Sequence, residues 1–147
     1  FHKDIKFFIN KYQKNKFYNY EFLICKNKNI LNFILIVKKI KIKDKFVIRV
    51  VDFFGQYEKL STLKSNMGIF FENNKIEYVD FYYYGIPDIY IKKAGFHIKS
   101  NISKVLVPNY FEPFVKKNIN INFAIKNNSK IKKVFFFKGD CDQERPN

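Results

Sequence analysis

Apolar and polar positions change their period several times along the chain, and each change predicts an element. Ile5, Phe8, Ile9 and Tyr12 recur at helical spacing behind Asp4, whose short carboxylate suits an N-cap, so one face of this helix should pack. Over 18–26 the period shortens to alternation, Tyr20, Phe22 and Ile24 against Glu21, Leu23 and Cys25, and Asn27-Lys28-Asn29 reads as a turn. The segment ILNFILIVKKIKI is apolar on both faces at first and alternates only from Lys39 onward, which predicts a strand that starts central and then emerges. Asp44 and Lys45 mark a hairpin turn, and KFVIRVVDFF is again apolar on both sides. Three antiparallel strands joined by tight turns form a meander.

At Gly55 the period lengthens. Leu60, Leu63, Met67 and Phe70 make one stripe of an amphipathic helix, with Glu58, Lys59, Lys64 and Ser65 outward and Asn73-Asn74 at its end. Residues 76–82 return to strand, parallel to 46–53 because a helix intervenes, with Asp80 on a face shared with Ile76, Tyr78 and Tyr82. A short helix follows: Pro87 suits its first position, Asp88 the positive end of its dipole, and Gly95 the left-handed residue that closes it. Beyond it, 103–107 reads as a strand, PNYFEPF as an aromatic loop held by Pro108 and Pro113, and 119–126 with 132–138 as a hairpin about Asn127, Asn128 and Ser129. The order is α+β. With 147 residues and neither repeat nor linker, residues 1–147 form one domain, and the chain begins at Phe1 rather than Met, so an N-terminally incomplete fold is expected.

Composition narrows the function classes. A net charge of +15 favours a polyanionic partner, yet the lysines are spread along the chain among Asn, Ile, Phe and Tyr, and the only arginines are Arg49 and Arg145. Spread lysine is what an A+T-rich coding sequence produces, and guanidinium is the group suited to bidentate phosphate and base contacts, so a basic nucleic-acid binder is the third reading. Cys25 and Cys141 are far apart and form no C-x-x-C, which indicates neither a zinc site nor a disulfide framework and fits a reducing, cytoplasmic setting. The most apolar run, 30–37, is stopped by Lys38 and Lys39, well short of the roughly 20 residues a bilayer needs.

The element order, together with the phrase Tyr90-Ile91-Lys92-Lys93-Ala94-Gly95-Phe96, resembles the GCN5-related N-acetyltransferase (GNAT) superfamily, whose members commonly show Y-x-K-x-G-F there. More narrowly, RVVDFFG, YVDFYYYGI, PNYFEPF and the terminal KGDCDQERPN resemble GNAT-like proteins encoded among bacterial surface-polysaccharide genes. The resemblance implies a mixed sheet of antiparallel meander, crossover helix, parallel strand, short helix and C-terminal strands. A missing N-terminal region or a second GNAT-like domain would pair with it. It also implies acetyl-CoA, or another acyl-CoA, lying where the superfamily's fourth and fifth strands splay apart.

In that superfamily the pyrophosphate meets backbone N–H groups of a Q/R-x-x-G-x-G/A loop, an anion site made by glycine and a helix N-terminus. The matching stretch here is Val51, Phe53, Gly55 and Gln56, in which only Gly55 answers the pattern. The tyrosine that often protonates the departing thiolate falls at Ile91, with Tyr90 one place and roughly 100° away round the helix.

Acyl transfer needs a base for an amine nucleophile, and Asp52 and Asp80, at the end of one parallel strand and inside the other, are the candidates. Each could equally bond a neighbouring backbone group or lysine. For the acceptor, Asn109, Tyr110 and Glu112 of the aromatic loop, and Asp140, Asp142, Gln143 and Arg145 of the terminal phrase, could hydrogen-bond sugar hydroxyls. The alternatives are an aromatic plug over a sheet edge and a frayed terminus. The terminal acids lack the twelve-residue calcium spacing, and no metal is expected. The leading expectation is an acyl-CoA-dependent N-acyltransferase acting on an amino sugar or glycan precursor. A catalytically inactive GNAT-fold module that binds glycan or protein is the second.

Overall fold

The computed structural model describes residues 3–99, 105–107, 114, 116–124, 126 and 133–141. Its centre is a four-stranded sheet of β1 (Glu21–Asn27), β2 (Ile30–Ile42), β3 (Lys45–Gly55) and β4 (Ile76–Phe81), in the order β1-β2-β3-β4. The first three strands are the antiparallel meander and β4 lies parallel to β3, so the fold is α+β with a mixed sheet. The run that reads as apolar on both faces is the central strand. Phe33, Leu35 and Val37 of β2 pack on one side with Ile48 and Val50, while Ile36 packs on the other with Phe8, Tyr12 and Val51.

The crossover joining β3 to β4 is a turn of 3-10 helix, Tyr57–Ser61, running into α2 (Thr62–Asn74). Leu60 is fully buried, worth about 1.5–3 kcal/mol of apolar transfer. Leu63 and Phe70 follow it onto the sheet as the stripe predicts. Lys75 closes the helix in the left-handed region, at φ 52°. The short helix α3 (Asp88–Lys93) buries Ile91, and its Asp88 carboxylate accepts the Tyr83 hydroxyl at 2.7 Å. Pro87 is the N-cap of α3 rather than its first helical residue, and Gly95 takes φ 96° at the close.

Of the three register shifts in the sheet, the two that involve β3 reset the pleat beside Asp52 and Asp80. Ile36 pairs with Asp52 and Val37 with Val50, which leaves Val51 as the extra residue of β3. Simple alternation would send Asp52 toward the apolar layer of Ile48 and Val50. The bulge reverses the phase, and Val51 and Asp52 both turn to the opposite face, where Tyr12 waits. In β4, Phe46 pairs with Ile76 and Val47 with Tyr78, so Glu77 is extra. The expected common face of Ile76, Tyr78, Asp80 and Tyr82 is therefore broken: Ile76 joins the α2 side, Asp80 is in register with Arg49, and β4 ends at Phe81.

The N-terminal helix α1 (Ile5–Phe8) is capped by Asp4, which accepts the Phe7 N–H at 2.8 Å, and continues as a π turn over Ile9–Gln13. Only Phe8 and Tyr12 of its predicted stripe are buried; Ile5 is 67% and Ile9 37% exposed, both bordering an open cavity on this face of the sheet. At the other end the expected hairpin is corrected. Residues 119–124 carry no strand, nor do 105–107; alternation such as Ile119-Asn120-Ile121-Asn122 gives strand propensity but no partner strand is supplied among the described residues, and Phe123 packs edge-on to Tyr84 instead. Among the described residues of this region only β6 (Phe136–Phe137) forms, within the expected 132–138 strand and antiparallel to β5 (Tyr83–Tyr84). No helix among the described residues is long and apolar enough to cross a membrane.

Candidate functional site

The bulge in β3 delivers Asp52 into a site built from three distant parts of the chain. Its carboxylate is fully buried, with Oδ1 accepting the Lys3 ammonium at 2.6 Å and the Phe53 N–H at 2.8 Å, and Oδ2 accepting the Tyr12 hydroxyl at 2.6 Å. Lys3 also donates to Asp140 Oδ2 at 2.7 Å and lies 4.9 Å from the centre of the Phe137 ring. A lone buried carboxylate would cost several kcal/mol, so these partners are what allow an ionised Asp52 here. Burial still pushes its carboxyl above the usual range, against the pull of Lys3 and Tyr12, and Asp140 adds to the rise.

Asp140 sits in a 3-10 turn, Lys138–Asp140, which tightens directly after β6. Its Oδ2 accepts the Phe137 N–H at 3.0 Å, its Oδ1 is buried without a hydrogen-bond partner, and Lys11 donates to the Gly139 carbonyl. Gly139 is needed for close approach: a Cβ there would meet the Tyr12 hydroxyl at 2.2 Å and Val51 at 3.1 Å. Phe137 stacks on Phe81 at 6.0 Å and leans on Phe53 at 6.0 Å. The pairing of β3 with β4 ends at Val50 and Phe81, and this turn occupies the place where the two strands part.

Lys138 belongs to a second cluster on the same turn. Asp80 Oδ2 accepts Arg49 Nε at 3.0 Å, and its Oδ1, buried and without a hydrogen-bond partner, lies 4.0 Å from Lys138 Nζ. Burial pushes the Lys138 ammonium down to about 8, resisted by Asp80 and helped by Arg49. Burial with Arg49 does the same to Lys38, also to about 8, and the Lys38 ammonium rests 3.8 Å from the Tyr18 ring. The two clusters meet through consecutive residues of one turn: Asp140 faces Lys3 and Asp52, Lys138 faces Asp80 and Arg49.

The candidate cofactor residues are spent on the sheet. Gly55 has φ 120° and is the last residue of β3, where a Cβ would stand 2.5 Å from the Asn32 carbonyl. The Gln56 N–H donates to that same carbonyl at 2.9 Å, and the Phe53 N–H bonds Asp52. Val51 is buried under α1 and Phe53 under α2. Tyr90 packs edge-on to Tyr57 at 5.2 Å on the α2 side of the sheet, the face opposite Asp52 and Asp80. Asn109, Tyr110, Glu112, Asp142, Gln143 and Arg145 lie outside the described residues.

The structure thus joins Asp52 to Asp140, puts Asp80 beside them, and separates all three from Tyr90. Lys3, Tyr12, Lys138 and Gly139 are the partners that sequence reasoning missed. Lys3 and Lys138 carry no signal in a chain so rich in lysine, and Tyr12 reads as one more apolar position of a helix stripe. The density of polar groups after the apolar run 134–137 was the one pointer to the turn. Among the described residues no group of His, Cys, Asp and Glu is placed to hold a metal ion. No protein-family model, curated protein or solved structure matches the chain.

Proposed function

We propose that the chain is a GNAT-like module of glycan assembly that binds its ligand without transferring an acyl group. One observation carries this reading: the space between the parting ends of β3 and β4, where an acyl-CoA would be expected, holds Phe137 and Gly139 of the chain's own C-terminal turn. The candidate phosphate grip points the same way, since the Gln56 N–H is committed to the Asn32 carbonyl and Gly55 serves the close approach of β3 to β2. Both candidate bases are held in ion pairs, Asp52 with Lys3 and Asp80 with Arg49.

The second reading is acyl transfer from acetyl-CoA, or another acyl-CoA, to an amino sugar, and the upward shift of the Asp52 carboxyl beside that space favours it. Calorimetric titration of the chain with acetyl-CoA separates the two. No heat of binding at millimolar acetyl-CoA is expected. Saturable binding that Asp52→Asn leaves intact, with acyl transfer to glucosamine that the same change abolishes, overturns the proposal in favour of the enzyme.

A further inference from the structure

On the α1 face of the sheet, beside the Asp52 site, a cavity of about 610 Å³ opens between the N-terminal helical turn, the link over 14–20 and strands β1 to β3. This volume is in the range of small-ligand sites. Six aromatic rings line it: Phe8, Tyr12, Tyr18, Tyr20, Phe22 and Phe54. They are braced against each other, Tyr12 edge-on to Tyr20 at 4.9 Å and Phe8 to Phe54 at 5.3 Å, so their outward faces are held in place. Asn15 pins the link, accepting the N–H groups of Phe17 and Tyr18 at 2.9 Å and donating to the Lys11 carbonyl at 3.3 Å. Gln13, Asn19, Tyr18 and Tyr20 line the same cavity, and their amide and hydroxyl groups make no side-chain hydrogen bond among the described residues.

The charge of the lining is the selective feature. The chain carries a net charge of +15, yet among the described residues no Lys, Arg, Asp or Glu lines this cavity. The Lys38 ammonium lies against the Tyr18 and Tyr20 rings at 3.8 and 5.4 Å, that of Lys11 lies 5.2 Å from the centre of the Tyr12 ring, and the Tyr12 hydroxyl is turned away to Asp52. None of the described lining residues offers a phosphate or carboxylate ligand a direct ion pair. A neutral ligand with an apolar face and a rim of hydroxyls matches both halves of it, the face on aromatic rings and the hydroxyls on amides and phenols.

From this we infer that the cavity is a binding site for a neutral saccharide, with Tyr20 as the stacking platform and Asn19 and Gln13 as hydroxyl partners. The inference rests on the proposed glycan-directed role only in taking a sugar as the neutral ligand; its site lies apart from the space where acyl-CoA was expected.

Saturation-transfer NMR on the intact chain tests it, with methyl β-glucoside, methyl β-galactoside, methyl β-N-acetylglucosaminide and maltotriose as probes at millimolar concentration and glucuronate as the anionic comparison. Transfer to the ring protons of at least one neutral probe, and none to glucuronate, is expected. Tyr20→Ala should abolish it. Because Tyr20 also braces Tyr12, the exposed Asn19→Asp is the companion variant; it adds a charge to the rim without touching the core and should weaken binding about tenfold. Failure of every neutral probe, equal transfer to glucuronate, or transfer that survives both variants overturns the site. Acetyl-CoA titration is read separately, so loss of the sugar site and loss of the non-acylating reading are distinguishable.

Discussion

Tyr12 and Gly139 meet at one oxygen atom, and their substitutions should not add. Tyr12→Phe removes the hydroxyl that donates to Asp52 Oδ2 at 2.6 Å, in a place closed to water. Hydrogen bonds to buried charged groups are worth about 1.5–3 kcal/mol, so a loss of about 2 kcal/mol is expected. Gly139→Ala puts a Cβ 2.2 Å from the same hydroxyl. Tyr12 has no room to retreat, with Phe8 stacked at 6.0 Å and Tyr20 edge-on at 4.9 Å, so the new methyl drives the hydroxyl off Asp52. The cost combines overpacking with the lost hydrogen bond, about 3 kcal/mol. In the double variant the oxygen is gone and the next contacts of the methyl are to Val51 at 3.1 Å, which small shifts relieve. It should therefore lose about 3 kcal/mol rather than about 5, a coupling of about 2 kcal/mol. Urea unfolding followed by far-ultraviolet circular dichroism, with an unchanged m-value as control, measures the cycle. Additivity to within about 0.5 kcal/mol would refute the shared-oxygen argument.

Two further predictions concern the neighbouring cluster. Asp80→Asn removes the counter-charge of part-buried Arg49 and buried Lys138 and should cost about 3–5 kcal/mol in the same urea assay; a loss under about 1 kcal/mol would mean that water already solvates these two cations. For Lys138 the folded pKa of about 8 lies below the ordinary 10.5, so between those values the unfolded chain binds more protons and stability rises with pH. The slope from this group is at most about 1.4 kcal/mol per pH unit, and the difference between the parent chain and Lys138→Met across pH 8–10 should show it; parallel stability curves would count against the shift.

The sheet was legible because its signals are local. The double-sided apolar run of β2, the lengthened period after Gly55 and the return to strand at Ile76 together imply the meander, the crossover and the parallel pair, all of which the structure has. The C-terminal third was not legible, since isolated Ile, Phe and Val among lysines and asparagines carry strand propensity without a defined face, and pairing depends on a remote partner. Tyr83 and Tyr84 capture Phe137 and Phe136, and no pattern within 119–138 says so. The site failed for a related reason. Side-chain alternation in a strand holds until a bulge, and the bulges at Val51 and Glu77 decide which way Asp52 points and which face Ile76 leaves.

Those bulges also constrain where ligand chemistry can reside. The α2 side of the sheet is closed by Leu60, Ile91, Phe53 and their neighbours. On the other side the reversed phase gathers Asp52, Asp80 and Arg49 along one line, and the C-terminal turn lays Lys138, Gly139 and Asp140 on it. Each ionised group there has a partner of opposite sign within 4.0 Å, and a charge so matched is costly to redirect toward a ligand, because the partner left behind stays buried. The side-chain polar groups of this face that make no hydrogen bond among the described residues, those of Gln13, Asn19, Tyr18 and Tyr20, are neutral and stand together in the aromatic lining of the cavity. Tyr12 touches both regions, its ring lining the cavity and its hydroxyl holding Asp52. A ligand seated on that ring therefore bears directly on the residue that fixes the buried carboxylate, and through Lys3 on the turn that fills the space between β3 and β4.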